Sequence, residues 1–594
     1  MTAPDVEKLT RYLDQASTLL GDLELPLATV QRDDGVRHAG EIASQLGDYV
    51  LPRLSALDAP VLVVVGGSTG AGKSTLVNAL VGENVSTSGV LRPTTRTPVL
   101  IHHPDDASWF TSAKVLPDVA RVGKSSNVVY AIRHVVSENV MPGVGILDAP
   151  DFDSIDVGNR ALADQLLAAA DLWLFVTSAA RYADQVPWDY LRRAATRSAS
   201  VAVVLDRTDP EQLPTVLKDL ARLMAAHGLS DSPLFSVPES TFNEQGLLEP
   251  EHVADINNWL IDLATDAAER RRVVGSTLDG AIRQINVKLR STCEVIDEQA
   301  DTAAELAGDA TRIFTDAGNQ LVRDVSDGAL MRGEVLARWQ EFVGTGELFR
   351  SLEVKVGRLR DWLFGAKPAH ASSTEDVEAA VGTGLHLLIL DRAEQAAADT
   401  ARAWSDVAAG AELLAANRSL DRASRDVQTR AERLAREWRA AVFELVEAEA
   451  GGKKAKARAM TWGVNAVGVS LMVVVFAGTA GLTGAEVGIA GGTAAISHRV
   501  LQAVFGDQAV RELARAAQAD LQARVEALFA QESDRYLEVL PSESALRSLV
   551  HDLTVCANEI ETERLIIDFV STPEEPAPEE PAPEDATREE GSDS

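Results

Sequence analysis

From about residue 58 to 265 the chain repeats one hydrophobic pattern: a short apolar run, then a longer stretch with apolar residues three and four positions apart. The apolar runs are Val61–Val65, Val99–His102, Val128–Val136, Val144–Leu147, Leu172–Val176, Val201–Leu205 and Leu234–Val237. Alternation of this kind predicts an α/β domain, a mostly parallel sheet with helices on both faces. Ligands of such sheets bind at the carboxyl ends of the strands. Residues 6–56 read as helical, with Leu9, Leu13, Leu19 and Leu20 at helical spacing. From about 266 to 450 the chain is rich in Ala, Leu, Arg and Glu with almost no strand signal, so long helices are expected. A break near Phe364–His370 separates two of them. Trp339, Trp362, Trp404 and Trp438 fall in these helices, where packing between helices is their expected role. Ser542–Phe569 reads as helix again, just after Pro541. From Thr572 the repeats of Glu, Pro and Ala carry no apolar periodicity and predict a disordered acidic tail. The expected organisation is a helical segment (1–57), an α/β domain (58–265), a helical stalk (266–450), a basic cluster with an apolar hairpin (451–505), further stalk helices (506–570) and the tail (571–594).

Composition narrows the function. The 594 residues include 89 acidic and 56 basic ones, for a formal net charge of -33. That argues against nucleic acid as a main partner, because phosphate backbones call for a basic surface. The two cysteines, Cys293 and Cys556, have no metal-ligand spacing and no disulfide framework, which suits a reducing cytosol. The N-terminus has neither the basic nor the apolar region of a signal peptide.

The strongest chemical motif follows the first apolar run. Gly67-Ser68-Thr69-Gly70-Ala71-Gly72-Lys73-Ser74 has the spacing G-x-x-x-x-G-K-[ST], with a strand before it and a helix-like run from Thr75 after it. Glycines let backbone N–H groups close around phosphate oxygens, and the helix N-terminus adds a favourable dipole. Lys73 would reach the β- and γ-phosphates, and the Ser74 hydroxyl would bind Mg²⁺.

Three further elements follow in order. In the loop Arg92–Pro98 a threonine can hold Mg²⁺ and the attacking water; Thr95 is favoured, with Thr94 as rival. The run Val144–Leu147 ends in Asp148, a carboxylate placed to hold Mg²⁺ through water. The run Val201–Leu205 leads into Asp206-Arg207-Thr208-Asp209, which matches [NT]-K-x-D only in part. Asp209 fits as acceptor of the guanine N1 and N2 protons. Asp206 stands where Asn is usual, and Arg207, in place of Lys, can stack on the base.

On these motifs, over about residues 60–240, the chain resembles the translation-factor-like GTPases, and among them the bacterial dynamin-like and Era-like members. The resemblance implies GTP and GDP as substrate and product, Mg²⁺ as cofactor, and dimerisation across the nucleotide face. It also implies slow hydrolysis by a lone subunit. The family's D-x-x-G is here Asp148-Ala149-Pro150-Asp151, so an Asp replaces a Gly that contacts γ-phosphate. Its charge opposes the phosphate unless it turns away. Phe152 stands where Ras-type enzymes place a water-positioning Gln.

Far downstream, Ala459–Ala485 has no charged residue, Glu486 interrupts, and a milder apolar run covers Val487–Ser497. The first run exceeds the roughly 20 residues of a spanning helix. Lys453, Lys454, Lys456 and Arg458 precede it and would attract anionic lipid, keeping this side cytoplasmic. A hairpin dipping into one leaflet, a true span, and a Gly/Ala-rich hairpin buried among helices all fit the pattern. The resemblance implies the first kind, since bacterial dynamin-like proteins carry an apolar paddle at the tip of a helical stalk. The favoured expectation is therefore a dynamin-like GTPase at the cytoplasmic face of a membrane, acting as a homodimer or homo-oligomer. A membrane-anchored GTP/GDP switch and a soluble ATPase with a buried hairpin are the alternatives.

Overall fold

The computed structural model describes residues 3–86, 97–112, 114–116, 119–122, 131–151, 157–196, 200–327, 374–450, 473–474, 501–502, 505–567 and 569. They form two compact units. One joins the chain up to Glu24 with Asp33–Val295 and the part from Ser548; the other joins Leu25–Arg32 with Ile296–Arg547.

The first unit is built on eight strands: β1 (Val61–Gly67), β2 (Val99–His102), β3 (Ala120–Val122), β4 (Ala131–Val136), β5 (Val144–Asp148), β6 (Leu172–Ser178), β7 (Ser200–Thr208) and β8 (Leu234–Pro238). They lie in the order β3-β4-β2-β5-β1-β6-β7-β8. Every neighbouring pair is parallel except β2 with β5. The mostly parallel sheet expected from the alternation is present. β3 is a strand that the apolar pattern does not reveal: it has three residues and none is fully buried.

Side chains of β1 alternate between two cores, as the period of a strand requires. Val61, Val63 and Val65 pack with α4 (Lys73–Val81) and α9 (Ala254–Thr265). Leu62 and Val64 pack on the other face with α6 (Val157–Ala168) and α7 (Gln185–Thr196). With both faces covered, the central strands can be Val/Leu-rich throughout.

The amino end of β1 is closed by charge. The guanidinium of Arg53, at the end of the helical N-terminal segment, pairs with the carboxylate of Asp171, and both are buried. Arg53 also donates to the carbonyls of Ala59 and Pro60, each at 3.1 Å, and lies over the Trp109 ring. Asp171 accepts the Leu62 N–H at 2.7 Å. Its carbonyl accepts the hydroxyl of Thr277, on α10 (Ala267–Ser326), at 2.9 Å, and that hydroxyl accepts the Ser200 N–H of β7. One cluster thus ties the N-terminal helices, three strands and the start of α10 together.

The second unit is helical: the rest of α10, α11 (Thr374–Ser405), α12 (Ala408–Ala416), α13 (Val427–Ala450) and α14 (Asp507–Leu537). Trp404 and Trp438 are buried in its core, with indole N–H groups donating to the carbonyls of Leu306 and Ala517. α15 (Glu543–Ile567) covers most of the helix expected at Ser542–Phe569.

Among the described residues no helix is long and apolar enough to cross a membrane. The apolar hairpin lies outside the described residues except for Val473 and Val474, which are buried in the helical core. The basic cluster at 453–458, the break at 364–370, Trp339, Trp362 and the acidic tail also lie outside them.

Arg53→Met strands the Asp171 carboxylate in the interior and is expected to cost about 3–5 kcal/mol. Urea unfolding of the full chain should show the sheet unit melting first. A loss below about 1 kcal/mol, the scale of an exposed pair, would contradict this role.

Candidate nucleotide site

β1 leaves the sheet at Gly67 and becomes α4 at Lys73 within five intervening residues. Glycines make that turn possible. Gly70 and Gly72 have φ of 76° and 100°, in the left-handed region. A Cβ at Gly72 would also run into the carboxylate of Asp206. α4 begins at Lys73 with Gly72 as its N-cap and no side-chain cap hydrogen bond, the kind of helix start that can bind an anion.

Lys73 is the first residue of α4 and is buried. Its ammonium donates to the carbonyls of Gly67 at 3.0 Å and Ser68 at 3.1 Å, and it pairs with the carboxylate of Asp151. Ser74 donates its hydroxyl to Asp148 Oδ2 at 2.6 Å. The Ser86 hydroxyl donates to the same oxygen. Asp148 closes β5, is fully buried, and its Oδ1 has no hydrogen-bond partner among the described residues. Burial pushes its carboxyl up, and Asp151 adds to this; the bonds from Ser74 and Ser86 and the charge of Lys73 oppose it. A hydroxyl beside a buried carboxylate with an unused oxygen is an all-oxygen donor set, which fits Mg²⁺. A divalent ion would reverse the cost of ionising Asp148.

Ser86 and Asn78 escape a motif search. Asn78 lies one helical turn after Ser74, a polar residue among Leu76, Val77, Leu80 and Val81. Its amide accepts the N–H groups of Val85 and Ser86 at 3.0 and 2.7 Å and donates to the Ser86 carbonyl at 2.8 Å. Asn78 therefore presents Ser86 to Asp148. Its signal in the sequence is an uncharged polar residue on an otherwise apolar helix; Ser86 has none.

At the end of β7, Asp206 is buried against Gly72, so it joins the phosphate loop. The pairing of β7 with β8 shifts register between Asp206 and Thr208, and Arg207 in between has a φ of 52°. A bulge with a non-glycine residue in the left-handed region re-aims its neighbours and marks stored strain. Arg207 is exposed, with Nε 3.8 Å from Asp206 Oδ2. Asp209 is exposed beyond the bulge, where its carboxylate accepts the Glu211 N–H at 2.9 Å. Thus Gly67, Ser68, Thr69, Gly70, Ala71, Gly72, Lys73, Ser74 and Thr75 form one continuous strand–loop–helix, with Asp148 and Asp206 against it. Thr94 and Thr95 lie outside the described residues.

A phosphate loop between a central parallel strand and a helix, with a strand-end carboxylate bonded to its serine, defines a P-loop nucleoside triphosphatase. Residues 63–206 match the profile of the Dynamin family, so this segment is a dynamin-family GTPase domain. A chloroplastic protein of Arabidopsis thaliana, described as a probable transmembrane FZO-like GTPase, is 24% identical over 160 residues. These are 27% of this chain, which spans 16% of the length of that relative. Among solved structures, an oligomerised bacterial dynamin pair, described as sensing and tethering membranes at long range, is similar at 12% identity and a TM-score of 0.41. The match covers 93% of this chain and 95% of that one. Toc33 of Arabidopsis thaliana, solved with Mg²⁺ and GMPPNP, is similar at 15% identity over 42% of this chain and 96% of that one, with a TM-score of 0.22. The profile match supports the dynamin side of the resemblance and not the Era-like side.

Burial pushes the Asp206 carboxyl up from 3.8 to about 6, against the opposing charge and N–H of Arg207 and with Glu239 adding to the rise. The folded protein therefore holds this proton more tightly than the unfolded chain. Its contribution to stability is complete below about pH 4 and is lost as pH rises through about 6. Asp206→Asn removes the ionisation and should stabilise the chain relative to wild type increasingly from pH 4 to pH 7, by up to roughly 3 kcal/mol. Thermal melts across that range test it; a difference that does not change with pH would contradict it.

Proposed function

We propose that the chain is a membrane-associated, dynamin-like enzyme that binds and hydrolyses GTP with Mg²⁺, and that nucleotide-dependent pairing of its GTPase domains drives membrane remodelling or tethering. The observation that carries this reading is the joining of Lys73, Ser74 and Asp148 at the mouth of the loop, inside a segment that matches the Dynamin profile. In this reading Gly67–Thr75 wrap the phosphates, and Lys73 holds their β/γ oxygens. Ser74, Thr95 and, through water, Asp148 would hold Mg²⁺, which would supply positive charge beside those oxygens. Thr95, or its rival Thr94, places the attacking water. Asp206, Arg207 and Asp209 contact the base.

The partners proposed are GTP, anionic lipid at the cytoplasmic face, and a second copy of the chain through the GTPase domain. Nucleic acid is not among them, given the net charge of -33. The lipid-inserting segment proposed is 459–497. Insertion at its centre would require Val473 and Val474, now buried in the helical core, to leave it.

Purified protein should hydrolyse GTP in a manner lost in Lys73→Ala, resistant to excess ATP, and faster with anionic liposomes. Turnover indifferent to liposomes would move the reading to a membrane-anchored switch. Equal inhibition by ATP would move it to an ATPase.

A further inference from the structure

Lys73 has three N–H donors, and all three are occupied. Two go to the carbonyls of Gly67 and Ser68, the backbone of the phosphate loop itself; the third goes to the Asp151 carboxylate. The ammonium is 5% exposed and the carboxylate 14% exposed, so water offers little competition for either. We infer that Asp151 is a built-in competitor of phosphate: its carboxylate holds the ammonium that a nucleoside polyphosphate needs, and the nucleotide must displace it to bind. This inference rests on the nucleotide-binding reading above and deepens it.

Three observations make Asp151 the exchangeable partner. The carbonyls of Gly67 and Ser68 are part of the turn that shapes the loop, and Ala71 N–H is bonded to Ser68 O at 3.1 Å. Withdrawing them would dismantle the loop, whereas withdrawing a side chain would not. Asp151 also lies just past the anchored part of its own segment. Asp148 is bonded to Ser74 and Ser86, and Ala149 N–H is bonded to the Val65 carbonyl at 3.1 Å. Pro150 follows with its φ held by the ring. Displacement of the Asp151 side chain therefore leaves the strand end at Asp148 in place. Lastly, a phosphate and a carboxylate compete for the same ammonium by the same charge-assisted hydrogen bond.

The device has two consequences. It lowers nucleotide affinity, because each binding event breaks an ion pair that is largely shielded from water. It also couples the arrival of phosphate to the position of Asp151, since occupancy of Lys73 decides where that side chain sits.

The test is equilibrium binding of fluorescent GDP and of a fluorescent, non-hydrolysable GTP analogue to full-length protein, with Mg²⁺ and with EDTA. The variants are Asp151→Asn, Asp151→Glu and Lys73→Ala. Asp151→Asn keeps the shape and removes the charge, and is expected to tighten binding about tenfold in both conditions. Asp151→Glu keeps the charge and should remain within about threefold of wild type. Unchanged affinity in Asp151→Asn overturns the inference. So does equal tightening in both variants, which would point to side-chain shape rather than charge. Weakening of Asp151→Asn in Mg²⁺ alone overturns it too and makes Asp151 a metal ligand. If wild type binds neither nucleotide, or binds as Lys73→Ala does, the nucleotide reading itself fails, and that result is distinct from the others. Melting of each variant without nucleotide checks that the fold is kept.

Discussion

β1 is buried along its whole length, so water can reach neither of its ends and protein groups must close both. At the amino end the closure is the Arg53–Asp171 pair, whose carboxylate takes the N–H of Leu62. At the carboxyl end it is Lys73, whose ammonium takes the carbonyls of Gly67 and Ser68. A charged side chain is used at each end, and each charge is itself countered by one of opposite sign. The position of the phosphate loop follows from this. A strand pinned at its far end and capped at its near end holds the turn between them in one place.

The same burial explains the acidity of the site. Asp148 and Asp151 lie beside the Lys73 ammonium and Asp206 lies against the loop at Gly72, and the carboxyls of Asp148 and Asp206 are raised chiefly by burial. Such a cluster is unfavourable by itself, and a divalent cation bound with a polyphosphate would supply positive charge to it and a competing anion for Lys73. Asn78 and Ser86 belong to this economy as well. By bonding the backbone on both sides of Ser86, Asn78 brings a neutral donor to Asp148, which limits the cost of its burial without tying up Oδ1.

How legible each part was depends on the range of the interaction that forms it. The phosphate loop could be read because glycine, lysine and serine at fixed spacing meet a local demand: tight turn, ammonium, hydroxyl. The apolar runs could be read because a strand buried on both faces has few alternatives in composition. β3 could not, since its three residues are held by pairing with β4 rather than by burial. The antiparallel pairing of β2 with β5 and the bridge from Arg53 to Asp171 were equally out of reach, because they join segments far apart in the chain. Asp151 was legible as a departure from a motif, but its partner was not. The exposure of Asp209 beyond a bulge at Arg207 is likewise a property of the β7–β8 register, which composition does not encode.

The helical unit meets the same problem as the sheet unit with the same kind of group. Glu532 on α14 is fully buried, and its two oxygens take the N–H and hydroxyl of Ser424 and the guanidinium groups of Arg430 and Arg535. Beside it the Tyr536 hydroxyl donates to the Leu420 carbonyl at 2.5 Å. Apolar packing alone sets only a loose alignment between long helices, because sliding by a turn exchanges one Leu or Ala for another. A buried carboxylate with a fixed set of donors allows one alignment and leaves any other with an unpaired charge. Glu532 fixes α14 against the segment leading into α13 in this way, as Asp171 fixes β1 against the N-terminal helices. In each unit apolar side chains fill the core, and a buried acid with a fixed set of donors distinguishes the observed packing from others of similar apolar content.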